Sequence, residues 1–228
     1  HPAGNGSNAR APDRGSSVGI PDTANEPVSS TASAVCFHLD LRSGVTLTLQ
    51  NDLRCDNDVN LAGAATLQGK SLRADHDLNL NGGLTANNGQ MYVGHDLNLN
   101  GALTLNGGKL TVNNDANLAG TLTASGGDLW ITGDWRNTGV FNPGVSDVIL
   151  DGWERQVISG NNTFYDLSIW NEWGGVDATG STLTVNGLLY VYGVFTTSST
   201  LKDVEIDRWA KLTAGGNMSV SGNWSNWG

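Results

Sequence analysis

The apolar residues of this chain come in pairs separated by one residue, which is the alternation expected of a β-strand with one buried face. The heptapeptide HDLNLNG occurs at 76–82 and again at 95–101, and its two leucines form such a pair. Three pairs follow one another from the start of one copy to the start of the next, separated by turns rich in Gly and Asn. The pattern therefore predicts three short strands in every repeat.

The repeat keeps a fixed 19-residue register through the first two thirds of the chain. Aspartates recur at this spacing, and a glycine follows each by five residues: Asp58, Asp77, Asp96, Asp115, Asp134, and Gly63, Gly82, Gly101, Gly120, Gly139, with Gly44 one period earlier. Short strands repeated in register predict a β-solenoid, in which each coil pairs in parallel with the preceding one at a rise of ~4.8 Å. The predicted fold is all-β, a single-stranded right-handed parallel β-helix of about 19 residues per coil. We expect the repeated glycines to turn a corner with positive φ.

Outward-facing polar residues fall into register as well. Two ladders are predicted: Asn60, Asn79, Asn98 and Asn117 in one, and Thr66, Thr85, Thr104 and Thr123 in the other. In-register amides and hydroxyls are expected to hydrogen-bond along the axis. A rank of threonines also suggests ice binding, but the flanking positions carry no second threonine rank, and a structural role is favoured.

The chain divides into a tail and a solenoid. Residues 1–31 contain four of the five prolines and almost no apolar residue, which predicts an extended N-terminal tail. Residues 32–228 are assigned to the β-solenoid, with regular coils to about 150 and irregular, Trp-rich coils over 151–228. LTVNGLLYVYGVF (183–195) still aligns with LTVNNDANLAGTL (110–122), so we expect the coils to continue to the C-terminus.

The 19-residue repeat resembles the filamentous-haemagglutinin type of bacterial secreted β-helix, and the local patterns at 133–150 and 152–169 resemble secreted β-solenoid proteins in the same way. The resemblance covers 44–150 well and 150–228 loosely. It implies a right-handed β-helix and a role as an adhesin or surface fibre.

Charge and composition exclude some partners. The net charge is −10 with only 15% charged residues, which argues against nucleic acid and against an anionic membrane surface, because both need clustered Lys and Arg. Without an apolar run of ~18 residues, no membrane insertion is expected. The sequence begins at His1, from which we expect an exported, trimmed protein, extracellular or at the surface of a bacterial cell. No cofactor is predicted.

Cys36 and Cys55 lie one repeat apart, one above the other at an inward position of successive coils. A separation of ~4.8 Å is within the range that a disulfide accepts, so we predict a disulfide near the N-terminal end of the solenoid. The alternative is a pair of buried free thiols.

The sequence offers one weak candidate for a metal site. His76 stacks on His95, beside Asp77 and Asp96, and imidazole with carboxylate can hold a divalent ion. The favoured alternative is a turn in which each aspartate accepts hydrogen bonds from backbone N–H groups. We therefore predict no metal.

All eight tryptophans lie in the second half of the chain. Trp135 and Trp224 take inward positions and are expected in the core. Trp130, Trp170, Trp173 and Trp227 are predicted to lie on the surface, where they would contact another subunit or a glycan. Asp147, Asp151, Glu154 and Arg155 form the tightest charged group, but it coincides with a turn and no enzyme activity is expected.

These observations favour a secreted structural subunit. The sequence stops part-way through a coil, which predicts an open end, so we expect head-to-tail homopolymers forming an extracellular filament with the tail bridging neighbouring subunits. The alternative is a bacterial surface adhesin that binds host or matrix glycans through exposed tryptophans.

Overall fold

The computed structural model describes residues 17–20 and 33–228, and over this part of the chain it is an all-β parallel solenoid of about ten turns, as the repeat predicts. The strands up to residue 150 are β1 (Ser17–Ile20), β2 (Ala34–Cys36), β3 (His38–Leu41), β4 (Thr46–Thr48), β5 (Leu53–Cys55), β6 (Val59–Leu61), β7 (Ala64–Thr66), β8 (Ser71–Ala74), β9 (Leu78–Leu80), β10 (Gly83–Asn87), β11 (Gln90–Val93), β12 (Leu97–Leu99), β13 (Ala102–Asn106), β14 (Lys109–Val112), β15 (Ala116–Leu118), β16 (Thr121–Ala124), β17 (Asp128–Ile131), β18 (Trp135–Asn137), β19 (Val140–Asn142) and β20 (Asp147–Leu150). The later strands are β21 (Gln156–Phe164), β22 (Asp166–Ile169), β23 (Val176–Asp177), β24 (Ser181–Val191), β25 (Val194–Thr197), β26 (Ser199–Ile206), β27 (Lys211–Ala214), β28 (Ser219–Val220) and β29 (Trp224–Asn226). Within the described residues there is no helix of the length and apolarity that crossing a bilayer requires.

Each regular coil has three faces. The first face stacks β3, β6, β9, β12, β15 and β18, and the second stacks β4, β7, β10, β13, β16 and β19. The third face begins with β2, β5, β8, β11, β14, β17 and β20 and continues through β22 and the later parts of β24 and β26 to β29. Partners such as Leu78 and Leu97 are one repeat apart, so the ladders carry the periodicity found in the sequence.

The inward residues of successive coils form one continuous apolar core. Leu80, Leu99 and Leu118 stack on each other and are at most 1% exposed. Because a coil has apolar residues on one side of each strand only, each coil buries its side chains against the coils above and below. Cys36 and Cys55 form the predicted disulfide across β2 and β5, with their Cα atoms 4.6 Å apart.

The polar ladder of asparagines is present on the first face. The side-chain amides of Asn79, Asn98 and Asn117 each donate to the side-chain oxygen one coil below, at 2.8, 2.9 and 3.0 Å. The threonines of the second face also lie in register, for example Thr85 beside Thr104. These polar side chains therefore line the outside of the rod.

Glycine is required at the repeated corner position for a different reason from the one expected. Gly44 has a φ of +81°, but Gly63, Gly82, Gly101, Gly120 and Gly139 are outside the left-handed region, so the expectation of positive φ is wrong for these five. At Gly101 a Cβ would overlap the carbonyl oxygen of Gly82, one coil below, and the other four meet a backbone oxygen in the same way. The glycine at this corner is required because the backbones of successive coils touch there.

The second face ends at β19. In later coils its place is taken by the end of β21, the first part of β24, which pairs with it, and the first part of β26, which pairs with β24. Long strands thus turn a corner without a loop. Trp135, Phe141 and Phe164 fill the core at this change, with ring centroids 5.0 to 5.7 Å apart. The buried indole N–H of Trp135 donates to Asn162 Oδ1 at 2.7 Å.

The predicted tail, residues 1–31, lies outside the described residues except for β1. β1 pairs in parallel with β3 of the same chain, Ser17 beside His38 and Ile20 beside Leu41. The boundary between tail and solenoid and the predicted contact of the tail with other subunits stay predictions.

Candidate functional site

The aspartates, the stacked histidines and the exposed tryptophans lie along one edge of the rod. We name it the aspartate corner: the turns that lead from a third-face strand to the next first-face strand, at 56–58, 75–77, 94–96, 113–115 and 132–134. Its continuation in the irregular coils consists of the turns 151–155, 170–175, 192–193 and 207–210.

The aspartates of this corner bond the backbone of the next coil. Asp77 Oδ1 accepts the N–H of Asp96 at 3.0 Å, and Asp115 Oδ1 accepts the N–H of Asp134 at 2.8 Å. The last aspartate, Asp134, accepts the N–H of Val157 at 2.7 Å. Each carboxylate thus caps the turn above it. Arg136 donates hydrogen bonds to both Asp115 and Asp134, which reduces the repulsion between these two carboxylates.

The two histidines stack at this corner as predicted from their spacing, with centroids 4.9 Å apart and planes 8° apart. His76 Nδ1 lies 2.7 Å from Asp58 Oδ1, and His95 Nδ1 lies 2.8 Å from Asp77 Oδ1. The hydrogen bond to Asp77 raises the pKa of His95, and desolvation opposes it.

The structure brings three of the four metal candidates together. Ligand atoms of His76, Asp77 and His95 lie within 4.8 Å of one another, and Asp96 Oδ1 is 3.6 Å from His95 Nδ1. However, a ring nitrogen directs its lone pair in the plane of the ring, and two parallel rings one coil apart cannot both direct one to a single ion. The absence of a metal stays a prediction, and a shared ion would need one ring to rotate.

The charged group predicted around residue 150 is divided between the start of β20, which carries Asp147, and the turn 151–155, which carries the other three residues. Asp147 begins β20, where it accepts a hydrogen bond from Ser168 Oγ at 2.9 Å, whereas Asp151 follows the other end of the strand. Arg155 Nη2 donates to Asp177 at 2.5 Å. Burial raises the pKa of Asp147 to about 6, although the bond from Ser168 lowers it.

Exposed tryptophans extend along the continuation of the aspartate corner. Trp153 is 79% exposed, Trp173 one coil above is 77% exposed, and Trp209 two coils further is 86% exposed. Trp227, which follows β29, is also exposed. Trp173 and Trp227 agree with the predicted surface positions, whereas Trp153 and Trp209 were not singled out by the sequence because they interrupt the repeat.

The turns that carry Trp153 and Trp173 are fixed from inside by two fully buried amides. Gln156 Oε1 accepts the N–H of Gly152 and an Nδ2 hydrogen of Asn171, both at 3.0 Å. Asn171 Oδ1 accepts the N–H groups of Gly174 and Gly175 at 2.9 and 2.8 Å. The backbone of Gly174 also packs so closely on Glu154 that no Cβ would fit. Both exposed rings therefore stand on rigid turns.

A second aromatic group lies beside this edge on the third face. Trp130 and Trp170 have ring centroids 6.1 Å apart, and Trp170 lies 5.6 Å from Tyr192 and 6.5 Å from Tyr190. Ile149 lies beside Trp130 in the ladder and, although it points outward, is buried. Lys109 Nζ lies 4.3 Å from the centre of Trp130. Trp170 and Tyr192 continue the exposed aromatic surface around the corner, whereas Trp130, which was predicted at the surface, is half-buried.

The two tryptophans expected in the core differ. Trp135 is buried, but Trp224 is 48% exposed, so its assignment to the core is wrong. Trp224 does take an inward position, beside Val204, but no described coil covers it on the other side.

A cleft lies under the first Trp-bearing turn. We name it the corner cleft: about 370 Å³, lined by Asn114, Asp115, Thr132, Gly133, Asp134, Trp153, Glu154, Arg155 and Gln156. Its lining combines the indole of Trp153 with polar residues of the aspartate corner.

Comparison of the chain with protein-family models, with curated proteins and with solved structures finds no match.

Proposed function

We propose that this protein is an extracellular β-solenoid that binds glycan chains along the Trp-bearing edge of its irregular coils. The observation that carries the proposal is the set of rigid turns that hold Trp153 and Trp173 in solvent. Exposed indole rings leave apolar surface in water, and such surfaces mark binding sites. Flat aromatic faces stack on the apolar faces of sugar rings, and the axial repeat of ~4.8 Å per coil is close to the length of one sugar unit.

The rigidity of these turns strengthens the argument. The buried amides of Gln156 and Asn171 hold both turns before any ligand arrives, so binding need not order them. A purely structural turn would not need to keep a tryptophan out of the core. The resemblance to the filamentous-haemagglutinin type agrees with a glycan-binding surface protein, and a disulfide is typical of an oxidising, extracellular compartment.

A direct test is a glycan array followed by titration of the best ligand. Changing both Trp153→Ala and Trp173→Ala is expected to weaken binding at least tenfold, because each stacked ring contributes about 1 kcal/mol. The matched control is Phe37→Ala, which removes an exposed aromatic ring at the other end of the rod and should leave binding unchanged. Wild-type protein that binds no glycan, or a double variant that binds as well as wild type, would contradict the proposal.

A second candidate function is end-to-end self-assembly. Residues Met218, Val220 and Trp224 take inward positions in the coil over 207–228 but are only partly covered, unlike their counterparts in earlier coils. A second copy stacked on this coil would bury them and pair the free edges of β27 to β29, and repeated stacking would give a filament.

Negative-stain microscopy of the full chain over a range of concentrations tests this assembly. Filaments that disappear in Trp224→Lys but persist in Trp153→Lys would support it. Single short rods at every concentration would rule it out.

A further inference from the structure

The charges around the corner cleft limit the kind of glycan that it can accept. Of the cations nearby, Arg136 bonds Asp115 and Asp134, and Arg155 bonds Asp177. Within the described part of the chain, no cation at this cleft is left to pair with a uronate or sulfate group. A polyanionic glycan would also be repelled by the chain, whose net charge is −10.

Two carboxylates at the same edge remain available. Glu154 directly follows Trp153, and Glu172 directly precedes Trp173. Both are exposed, and neither side chain has a hydrogen bond or an ion pair with any described residue. Each of the two turns therefore carries an exposed carboxylate on a residue adjacent in sequence to an exposed tryptophan, on a backbone that Asn171 and Gln156 hold in place.

An indole face beside a carboxylate is a good environment for an ammonium group. The ring attracts the cation through its electron-rich face, and the carboxylate accepts a charge-assisted hydrogen bond. The third turn differs, because there Arg208 lies over Trp209 at 5.4 Å. An exposed carboxylate beside an exposed tryptophan in the sequence, with no cation from the described residues over the ring, is thus found in the turns of Trp153 and Trp173, which belong to successive coils.

We infer that the glycan bound at this edge is an amino-sugar polymer with free amines, of the glucosamine class. This inference rests on the proposed glycan-binding function. One ammonium group would pair with Glu154 and another with Glu172, while sugar rings stack on the two indoles and one sugar sits in the corner cleft.

Titration calorimetry with two matched hexamers tests the inference: a glucosamine hexamer and its fully N-acetylated counterpart, at one mildly acidic pH. The free amine is expected to bind roughly fivefold more tightly, because two exposed ion pairs add modestly to the stacking. Added salt should reduce this preference and leave the binding of the acetylated hexamer unchanged.

Variants separate the charge from the stacking. Changing both Glu154→Gln and Glu172→Gln should abolish the preference for the free amine, whereas Asp128→Asn, which removes an exposed charge from the third face, should preserve it. If both hexamers bind wild-type protein equally, or the acetylated one binds better, the inference is wrong while the glycan-binding function stands. If neither hexamer binds and the glycan array is also empty, the proposed function itself fails.

Discussion

The coils before and after residue 150 both bury an apolar core, but the contacts that hold the coils together differ. In the regular coils each inward position repeats a small set of aliphatic residues, and the outward ladders repeat as well, such as Asn79 under Asn98. In the irregular coils the connections are unique: Trp135 bonds Asn162, and Gln156 bonds Asn171. Repetition makes each rung interchangeable, whereas the unique contacts allow turns to leave the rod and present side chains to solvent. The regular half therefore acts as the scaffold, and the irregular half carries the candidate binding edge.

The largest expected effect lies at the join between the two halves. Trp135→Ala should lower the free energy of unfolding by about 4 kcal/mol, because it empties the centre of an aromatic cluster and removes a partner of buried Asn162. Trp153→Ala, which removes an exposed ring on a nearby turn, should change it by less than about 0.5 kcal/mol. Urea unfolding measures both, and similar losses would mean that the join is not a special element of the core.

The corner glycines test the regular half on its own. Gly82→Ala should cost about 3 kcal/mol, because the added methyl group would overlap the carbonyl oxygen of Gly63 and separate two coils. The neighbouring Gly83→Ala has open space, and its counterpart one coil above is already Ala102, so it should be nearly neutral. Thermal and urea unfolding of the pair distinguish close backbone contact from a general intolerance of side chains at this corner.

Two asparagine variants compare an amide that occurs once, Asn171, with an amide of the repeated ladder, Asn98. Asn171→Ala should cost about 2 kcal/mol, because it leaves the part-buried N–H of Gly174 and the buried N–H of Gly175 without an acceptor. Asn98→Ala should cost about 1 kcal/mol or less, since water can reach the neighbouring amides of that ladder. Hydrogen exchange adds a local measure: the amides of Gly174 and Gly175 should exchange faster only in the first variant.

The smallest predicted effect is a dependence on pH in the third face. The pKa of Asp147 is raised to about 6 in the folded chain, above its unfolded value, so the folded state binds the proton more tightly. The stability this gives is present at low pH and is lost as the pH rises through about 6. Asp147→Asn should therefore stabilise the protein at pH 8 by roughly 1 kcal/mol, a value reduced for partial exposure, and by less at pH 5.

Urea unfolding at the two pH values checks this prediction, with Glu172→Gln as the exposed control. An equal gain from Asp147→Asn at both pH values would show that relief of burial, without titration, explains its effect.

The regular half could be predicted closely because its contacts join residues of the same type at one spacing. The period placed Leu80 under Leu99, Asn79 under Asn98 and Cys36 under Cys55, and the structure confirms these. The same pattern misled at Gly101, because periodicity reveals that a glycine is needed but not whether φ or a backbone contact requires it.

The candidate site could be predicted only in part. Trp170, Trp173 and Trp227 were identified as exposed, but the function of Gln156 and Asn171 depends on backbone groups of other coils, such as Ile131 O, and no local pattern marks such partners. For Trp224 the sequence predicted the position but not the exposure. Its inward position follows from the register, whereas its exposure depends on whether a further coil covers it.

The constant spacing of the ladders also has a consequence for how the chain folds. The entropy lost on closing a loop depends on its length, so each new coil that winds onto a finished one has the same cost, and folding can proceed as equal steps. Only the first pair of coils must form without a template. The disulfide between Cys36 and Cys55 closes one loop of that same length covalently. We therefore expect winding of the oxidised chain to start at this end and to advance towards the C-terminus, so that contact order stays low however long the rod becomes.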